Sequence, residues 1–560
     1  MKGIKSFLLG IVLLYMPILA NAELRDSLDV TAIVEGSAAT RNIRPLWSYS
    51  NAWGRYTQYD KGAILAYARA SYGLSLGRRN KINLRTVVSA QGSTDGDRSM
   101  IHEAYFAAHC WFMDFTVGLD AFTPIATNNG MTTGSYIMSD NARPYPRIGA
   151  GIFDYWTIPY LFDLLQIKGG VYFGLMDDEG NSEYTSDFYI HEKFAYIRSA
   201  KWFIKPYIGL IHSAMFGGTL PDGTEIPVDF WATFFARSGS TKKFGTSMRG
   251  ESTNTAGGHQ GLWDVGLDIE TKTINMSFFY QRPFADVKGL TLGKWYKKDI
   301  TLGVLFRFNN CKIVQAVYLE YFNTREQDGP GMPDIVFVDK NGTRTYVLPG
   351  DVTEDNLYEW IEEHLDEDVL SAWEAEHGEI TSVGDLSELL REVYNYGYEG
   401  GRVNYLCNGY YYQGWTRGGL SMGTPLFHTI ETVQRYAGEG STQPLKRSSI
   451  FANVRVRAYT LTVEGEAENL FNYRIRLTYS RNYGSYLHQF DGSQYSTTYS
   501  WDEVENYYFK NPKNEFYTAL WLDHNISKNL KINALLAYDF GQLYKSFAFR
   551  VGLTYNLNCL

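Results

Sequence analysis

Residues 547–558, FAFRVGLTYNLN, alternate strictly: Phe547, Phe549, Val551, Leu553, Tyr555 and Leu557 fall on one face, while Arg550, Gly552, Thr554, Asn556 and Asn558 take the other. The same period of two runs through Phe471, Tyr473, Ile475, Leu477 and Tyr479 against Asn472, Arg474, Arg476 and Thr478. It recurs in Ile300, Leu302, Val304, Phe306 and Phe308 against Thr301, Gly303 and Arg307. A mid-strand arginine needs polar surroundings, so the second face meets water or polar side chains. Strands of about ten residues are long for a β-sandwich, where five or six is usual, and match the nine to eleven or so that cross a bilayer at a tilt. A closed barrel with lipid outside and a polar lumen inside produces this alternation, and closure removes the unpaired edges that lipid cannot satisfy.

The rest of the chain agrees. Its 560 residues carry a formal net charge of −9 and a mean hydropathy of −0.28. These averages exclude a polytopic helical membrane protein, which needs several apolar runs of about 20 residues, and a chain drawn to nucleic acid by its overall charge. The 43 Tyr and 53 Gly fit many strands, many turns and a large amphipathic surface. Residues 1–22 read as a secretory leader: Lys2 and Lys5, an apolar stretch from Phe7 to Leu19, then Ala20, Asn21 and Ala22 as a small-x-small cleavage site. Cleavage near Ala22 starts the mature chain at Glu23. Setting aside the leader and one insertion leaves 488 residues, room for about 18 strands at roughly 27 residues per strand and connection. The expected fold is thus all-β, a transmembrane antiparallel barrel of about 18 strands, its first part at 23–350 and its C-terminal part at 401–560.

The insertion is residues 351–400. It holds 16 acidic side chains and a single Arg391, a local charge of −15. Leu357, Trp360, Ile361, Leu365, Leu370 and Trp373, then Leu386, Leu389, Leu390 and Val393, recur at helical spacing, which predicts a small acidic helical unit. The remaining 510 residues sum to +6, so the barrel itself is nearly neutral.

Motifs of catalysis are weak. Gly419-Leu420-Ser421-Met422-Gly423 matches the nucleophile elbow, but that motif needs a strand-to-helix turn in a parallel sheet, and the flanks show none. His102-Glu103 and His191-Glu192 lack the second histidine of a zinc-protease helix. Cys110, Cys311, Cys407 and Cys559 have no metal-type spacing; a Cys311–Cys407 bridge is the alternative to four isolated thiols. The expectation is no enzyme, no cofactor and no metal. The sequence instead offers Tyr405, Tyr410, Tyr411, Tyr412 and Trp415 mixed with Asn404, Asn408, Gln413 and Arg417. Aromatic faces receive the C–H faces of sugars while amide and guanidinium groups bond their hydroxyls; the same rings also suit an interfacial girdle.

Several blocks carry a family resemblance. Asn404-Tyr405, Tyr412-Gln413-Gly414-Trp415 and Gly423-Thr424-Pro425-Leu426, the run Ser135 to Pro146 with Asn141-Ala142, Phe234 to Gly239, and Tyr318 to Gln327 lie in order over about half of the chain. Together they resemble the capsule-assembly Wzi family of outer-membrane proteins. The resemblance implies an 18-stranded barrel in the outer membrane of a Gram-negative cell, acting as a lectin for capsular or exopolysaccharide without enzymatic activity. Outer-membrane lipid and the barrel-assembly machinery would be its other partners. Tyr410, Tyr411, Tyr412 and Trp415 would then be stacking surfaces, and Asp140, Asn141, Arg143 and Arg417 hydrogen-bonding groups. One departure is that strand-like sequence follows the leader almost at once, leaving no room for a helical bundle at the periplasmic end. The alternative function is a porin passing oligosaccharides or other solutes, its lumen lined by Arg307, Arg474, Arg476 and Arg550.

Overall fold

The computed structural model describes residues 25–76, 82–94, 98–125, 130–159, 161–177, 180–236, 257–284, 299–325, 334–347, 352–394, 397–399, 406–445, 449–468, 470–489 and 505–559. The leader, its cleavage site and the Asn404-Tyr405 pair lie outside these. Eighteen strands form one sheet: β1 (Arg25–Ala39), β2 (Gly62–Leu76), β3 (Ile82–Ser93), β4 (Met100–Cys110), β5 (Met113–Leu119), β6 (Pro146–Thr157), β7 (Leu165–Met176), β8 (Phe188–Ser199), β9 (Ile204–Phe216), β10 (Gly258–Glu270), β11 (Ile274–Phe284), β12 (Ile300–Phe308), β13 (Ala316–Asn323), β14 (Val456–Ala467), β15 (Phe471–Asn482), β16 (Lys513–Asn525), β17 (Leu530–Gly541) and β18 (Ser546–Cys559). Each pairs antiparallel with its neighbours in sequence, and β18 pairs back onto β1 from Ala548 against Ala39 to Cys559 against Leu28. The barrel is closed, as the alternation required.

Its two ends differ. Connections on the side of the chain termini are two to seven residues long, whereas the other end carries residues 40–61, 120–145, 217–257, 324–455 and 483–512. The outer wall is apolar: Val551, Leu553 and Tyr555 are all more than two-fifths exposed, as are Ile148, Leu319 and Leu477. Near the long-connection end Tyr321, Tyr459, Tyr479, Phe516 and Phe540 stand directly opposite one another across β13 to β17. Successive ring centroids are 5.2, 6.4, 5.0 and 5.1 Å apart. Such a row is the aromatic girdle that marks a membrane–water interface.

Inside, the many glycines and tyrosines find a joint reason. Gly149, Gly209, Gly266 and Gly303 lie opposite Tyr172, Tyr196, Tyr207 and Phe279 in register. A Cβ on any of these glycines would come within 2.1–2.3 Å of the ring that lies over it. The wall therefore packs aromatic rings flat against bare backbone, and alanine would force them off.

The acidic insertion folds as expected into helices Leu357–His364, Glu367–His377 and Val383–Val393. Leu357, Trp360, Ile361, Leu365, Trp373, Leu386, Leu389 and Leu390 share a core separate from that of the barrel, with Leu370 packed at its edge. Val393 departs from the helical-face reading and is 46% exposed. The unit is wider than 351–400: strands Asp334–Val338, Arg344–Val347 and Gly397–Glu399 form a small sheet, and Phe337 joins the core. It sits in the β13–β14 connection, on the long-connection side. No Cys311–Cys407 bridge forms; Cys311 is exposed in a short-end turn while Cys407 is buried in the lumen, where burial pushes its thiol up to about 12.

Candidate functional site

Among the described residues, a plug occupies the lumen. Residues 40–61, the described parts of 120–145, and 406–445 fold inward from the long-connection end, and inward-facing side chains of the wall grip their backbone. Arg476 on β15 donates to the Gly130 carbonyl and lies over the Trp47 ring at 4.4 Å. Arg550 on β18 donates to Ser48 O at 3.2 Å, Lys168 on β7 to Pro124 O, and Arg147 on β6 to Asp120 O and Phe122 O at 2.8 Å. In the other direction, the Leu46 N–H donates to Asp539 on β17, Thr133 to Glu320 on β13, and Tyr136 to Gln260 on β10. Arg474 pairs with Glu464 on the neighbouring strand. Three of the arginines read from the alternation thus do face inward, but two of them hold plug backbone and the third is neutralised. Arg307 sits exposed near the short-connection end.

The two segments singled out in the sequence, 135–146 and the described part, 406–426, of the second, meet in this plug. Ser139 N–H donates to Met422 O at 2.9 Å, its hydroxyl to Gly423 O at 2.7 Å, and Asn141 Nδ2 to Ser421 O at 2.8 Å. Trp415 Nε1 donates to Ile137 O at 2.7 Å. Contact is so close at Gly423 that a Cβ would lie 1.9 Å from Tyr136 O, so only glycine fits there. Ser421 of the elbow-like motif is buried, and its hydroxyl accepts from the Gly423 N–H. It sits in a two-residue ladder with Thr416–Arg417 rather than at a strand-to-helix turn.

The predicted site residues divide by exposure. Tyr411 and Trp415 are at most 1% exposed and Tyr410 is 6%; Tyr411 packs against Phe188 with centroids 5.1 Å apart. Their ring faces are covered by protein, so in this arrangement they hold the plug instead of offering stacking surfaces. Arg417 is buried against Met176 Sδ at 3.6 Å and pairs with Asp177 at 3.5 Å, and Asn141 is buried by its bonds to Ser421 and Gly54. Tyr412, Asp140 and Arg143 are half-buried. Burial raises the Asp140 carboxyl from its ordinary value, against the pull of Arg476 and Arg474.

Sequence reasoning missed Arg98. It donates to Gly54 O at 3.4 Å and to Gly418 O at 3.3 Å, and Arg143 flanks the same Gly418. With the exposed Gly419 turn these form a half-open basic surface beside Trp53, whose N–H donates to Asp140 O. Nothing in the spacing of Arg98 and Arg143 could have joined them, because a plug brings them together. Two cavities bordered by described residues of the plug and wall are small: about 40 Å³ beside Trp53, Arg143 and Arg147, and about 20 Å³ beside Arg44, Arg55 and Arg98. No group of His, Cys, Asp or Glu suited to a metal ion occurs among the described residues.

No protein-family model matches the sequence, and no curated protein matches it. Among solved structures, one similar in shape is Wzi of Escherichia coli, described as a carbohydrate-binding outer-membrane β-barrel involved in group 1 capsule assembly. Identity is 11% and the TM-score 0.47, covering 93% of this chain and 83% of that one. Pseudomonas aeruginosa OprD is similar at 8% identity and TM-score 0.41, with 96% of each chain covered. OccK5 of the same organism is similar at 8% and 0.40, covering 96% of this chain and 98% of that one.

Proposed function

We propose that the protein is an outer-membrane barrel that binds surface polysaccharide on its plugged, long-connection side and helps hold or assemble capsule at the cell surface. The observation that carries this reading is the plug that the inner wall grips inside the lumen. A barrel that passes solutes needs a continuous water path; among the described residues the plug occupies the lumen, and the two cavities beside it hold a few waters at most. A surface-binding barrel needs none, and a rigid plug positions its ligand groups well. Two of the four sequence blocks that resemble the capsule-assembly family, at 135–146 and 406–426, meet in that plug, which supports the same reading. Export by the 1–22 leader and insertion by the barrel-assembly machinery belong to it.

Within this reading Tyr410, Tyr411, Trp415, Asn141 and Arg417 are supports. Tyr412, Asp140, Arg143 and the added Arg98 are the groups that meet sugar. Binding at one site is weak, and a repeating polymer gains retention through effective concentration. The test is retention of detergent-purified protein on immobilised capsular polysaccharide from its host. Wild type is retained, and the Arg98→Ala/Arg143→Ala double variant loses at least fivefold. In cells, deleting the gene shifts capsule from the cell pellet to the medium. Failure to retain any host capsule or exopolysaccharide, with capsule unshed, overturns the proposal.

A further inference from the structure

Four arginines stand apart from the plug. Arg457 on β14 and Arg481 on β15 are directly opposite in register and share the outward face with Tyr459 and Tyr479. Like charges directly opposite across two strands repel, and among the described residues neither has an acidic partner. Arg325 and Arg455 flank them: Arg455 Nε donates to Arg325 O at 3.3 Å. Arg325 and Arg481 both lie over the Tyr483 ring, at 5.2 and 5.7 Å, and Arg455 lies over Tyr486 at 3.8 Å. Among the described residues none of the four forms an ion pair, although Arg325 Nε donates to Asn323, which bonds Asp299; positive charge is concentrated here.

The height of the cluster on the wall is informative. Arg457 and Arg481 are two residues beyond Tyr459 and Tyr479 toward the long-connection end, about 7 Å along the strands. Those tyrosines belong to the girdle, so the guanidiniums stand just outside the hydrocarbon, at the level of lipid headgroups. Directly below, on the same outer face, lies a shallow apolar groove of about 830 Å³, lined by Phe278, Leu302, Leu319, Tyr321, Tyr459 and Leu461. Its upper rim is the pair Tyr321 and Tyr459, next to the arginines.

We propose that this is a lipid site: Arg325, Arg455, Arg457 and Arg481 receive the phosphate of an acylated anionic lipid from the leaflet on the long-connection side, and the groove takes an acyl chain. Phosphate complements the like-charged pair and accepts several guanidinium hydrogen bonds at once. An acidic polysaccharide would also complement the arginines, but it has no chain for the groove, and the arginines face away from the plug.

The test uses full-length protein in non-ionic detergent, with native mass spectrometry reading the bound lipid. The probes are lipid A carrying both phosphates, the same molecule with its phosphates removed, and phosphatidylcholine. Phosphorylated lipid A is retained at least about tenfold over the other two, and Arg457→Gln/Arg481→Gln lowers that about tenfold. Leu319→Trp, which fills the groove, also lowers it, while Lys205→Ala at the far end does not. Folding of each variant is checked by heat-modifiable mobility; if the double variant fails to fold, Arg481→Gln, at an exposed position, gives the same answer. Equal retention of dephosphorylated lipid overturns the proposal, as does unaltered binding by the arginine variants. Displacement of lipid A by a soluble polyuronate, with only polyuronate binding lost in the variants, assigns the arginines to polysaccharide instead. Displacement by inorganic phosphate at equal concentration removes the acyl groove from the site.

Discussion

His428 sits where the plug turns into the helix Ile430–Ala437, 2% exposed, with Nδ1 3.2 Å from the Tyr436 hydroxyl. Burial pushes its imidazole down to about 4 from the ordinary 6.5, so it is neutral in the folded plug throughout the usual pH range. Unfolded, the same side chain takes a proton below about 6.5. The plug therefore keeps this contribution in full above pH 6.5 and loses it as pH falls toward 4, by up to roughly 3 kcal/mol. Asp140 works in the opposite sense, since burial raises its carboxyl and acid relieves it. The expected outcome is that plug unfolding, followed by hydrogen exchange at 428–437, speeds up between pH 6.5 and 4 in wild type and much less in His428→Gln. Equal acid sensitivity in both would show that another group titrates. At this scale the sequence was half legible. Alternation placed Arg474, Arg476 and Arg550 on the inner face, where they are. It carried no sign that Arg476 reaches Gly130 or that Arg550 reaches Ser48, partners hundreds of residues away. For the same reason Tyr411 and Trp415 looked like open rings: composition reports aromatic density and is silent on what covers it.

Strand β8 shows why some elements resist a periodic reading. Its inner face is Phe188, Ile190, Glu192, Phe194 and Tyr196, so His191 and Lys193 point outward, in register with Ala214 and His212 of β9. Polar groups on a lipid-facing wall are costly, and here a flap covers them. The described part of the β9–β10 connection folds back over the outside: helix Phe230–Phe234 lays Phe230 and Phe234 on His191, with centroids 6.3 and 5.3 Å away, and Lys193 donates to Phe234 O. Trp231 and Phe235, each 61% exposed, continue the apolar surface of the wall. His-Glu-Lys in mid-strand reads as polar on both faces, and only the flap explains it. The acidic unit was easier, because its helices bury one face each at a fixed spacing; its short strands were too brief to announce themselves. If the flap exists to screen Lys193, replacing Asp229–Phe235 by a Gly/Ser linker destabilises the barrel by roughly 2 kcal/mol. Adding Lys193→Leu restores most of that. Denaturant unfolding in lipid vesicles measures the cycle, and additive effects of the two changes would mean that the flap and the lysine are independent.

For the molecule as a whole, strand number and closure followed from arithmetic and alternation, because a strand length of about ten and one wet face leave few other architectures. The state of the lumen did not follow, and it separates a surface-binding barrel from a porin. Eighteen strands enclose enough room for an aqueous channel, and the inner wall is polar enough to wet it. What occupies it is the plug, whose largest described share, residues 406–445, lies in the β13–β14 connection and contributes no strand to the barrel. Removing 406–445 and joining the flanks leaves all eighteen strands and their register in place. It also removes Trp415, Ser421 and Gly423, on which the 135–142 segment rests. In planar bilayers the full-length protein is expected to be silent or to flicker rarely, and the trimmed protein to open large, steady channels. The trimmed protein should also lose polysaccharide retention, since Tyr412 and the Gly418–Gly419 turn leave with the plug. Steady channels in the full-length protein would mean that the plug moves aside in the membrane, and solute passage would then displace polysaccharide binding as its function. Silence in both, with the trimmed barrel shown to be folded by heat-modifiable mobility, would mean that residues 40–61 and 120–145 seal the lumen alone, which leaves 406–445 to the ligand surface.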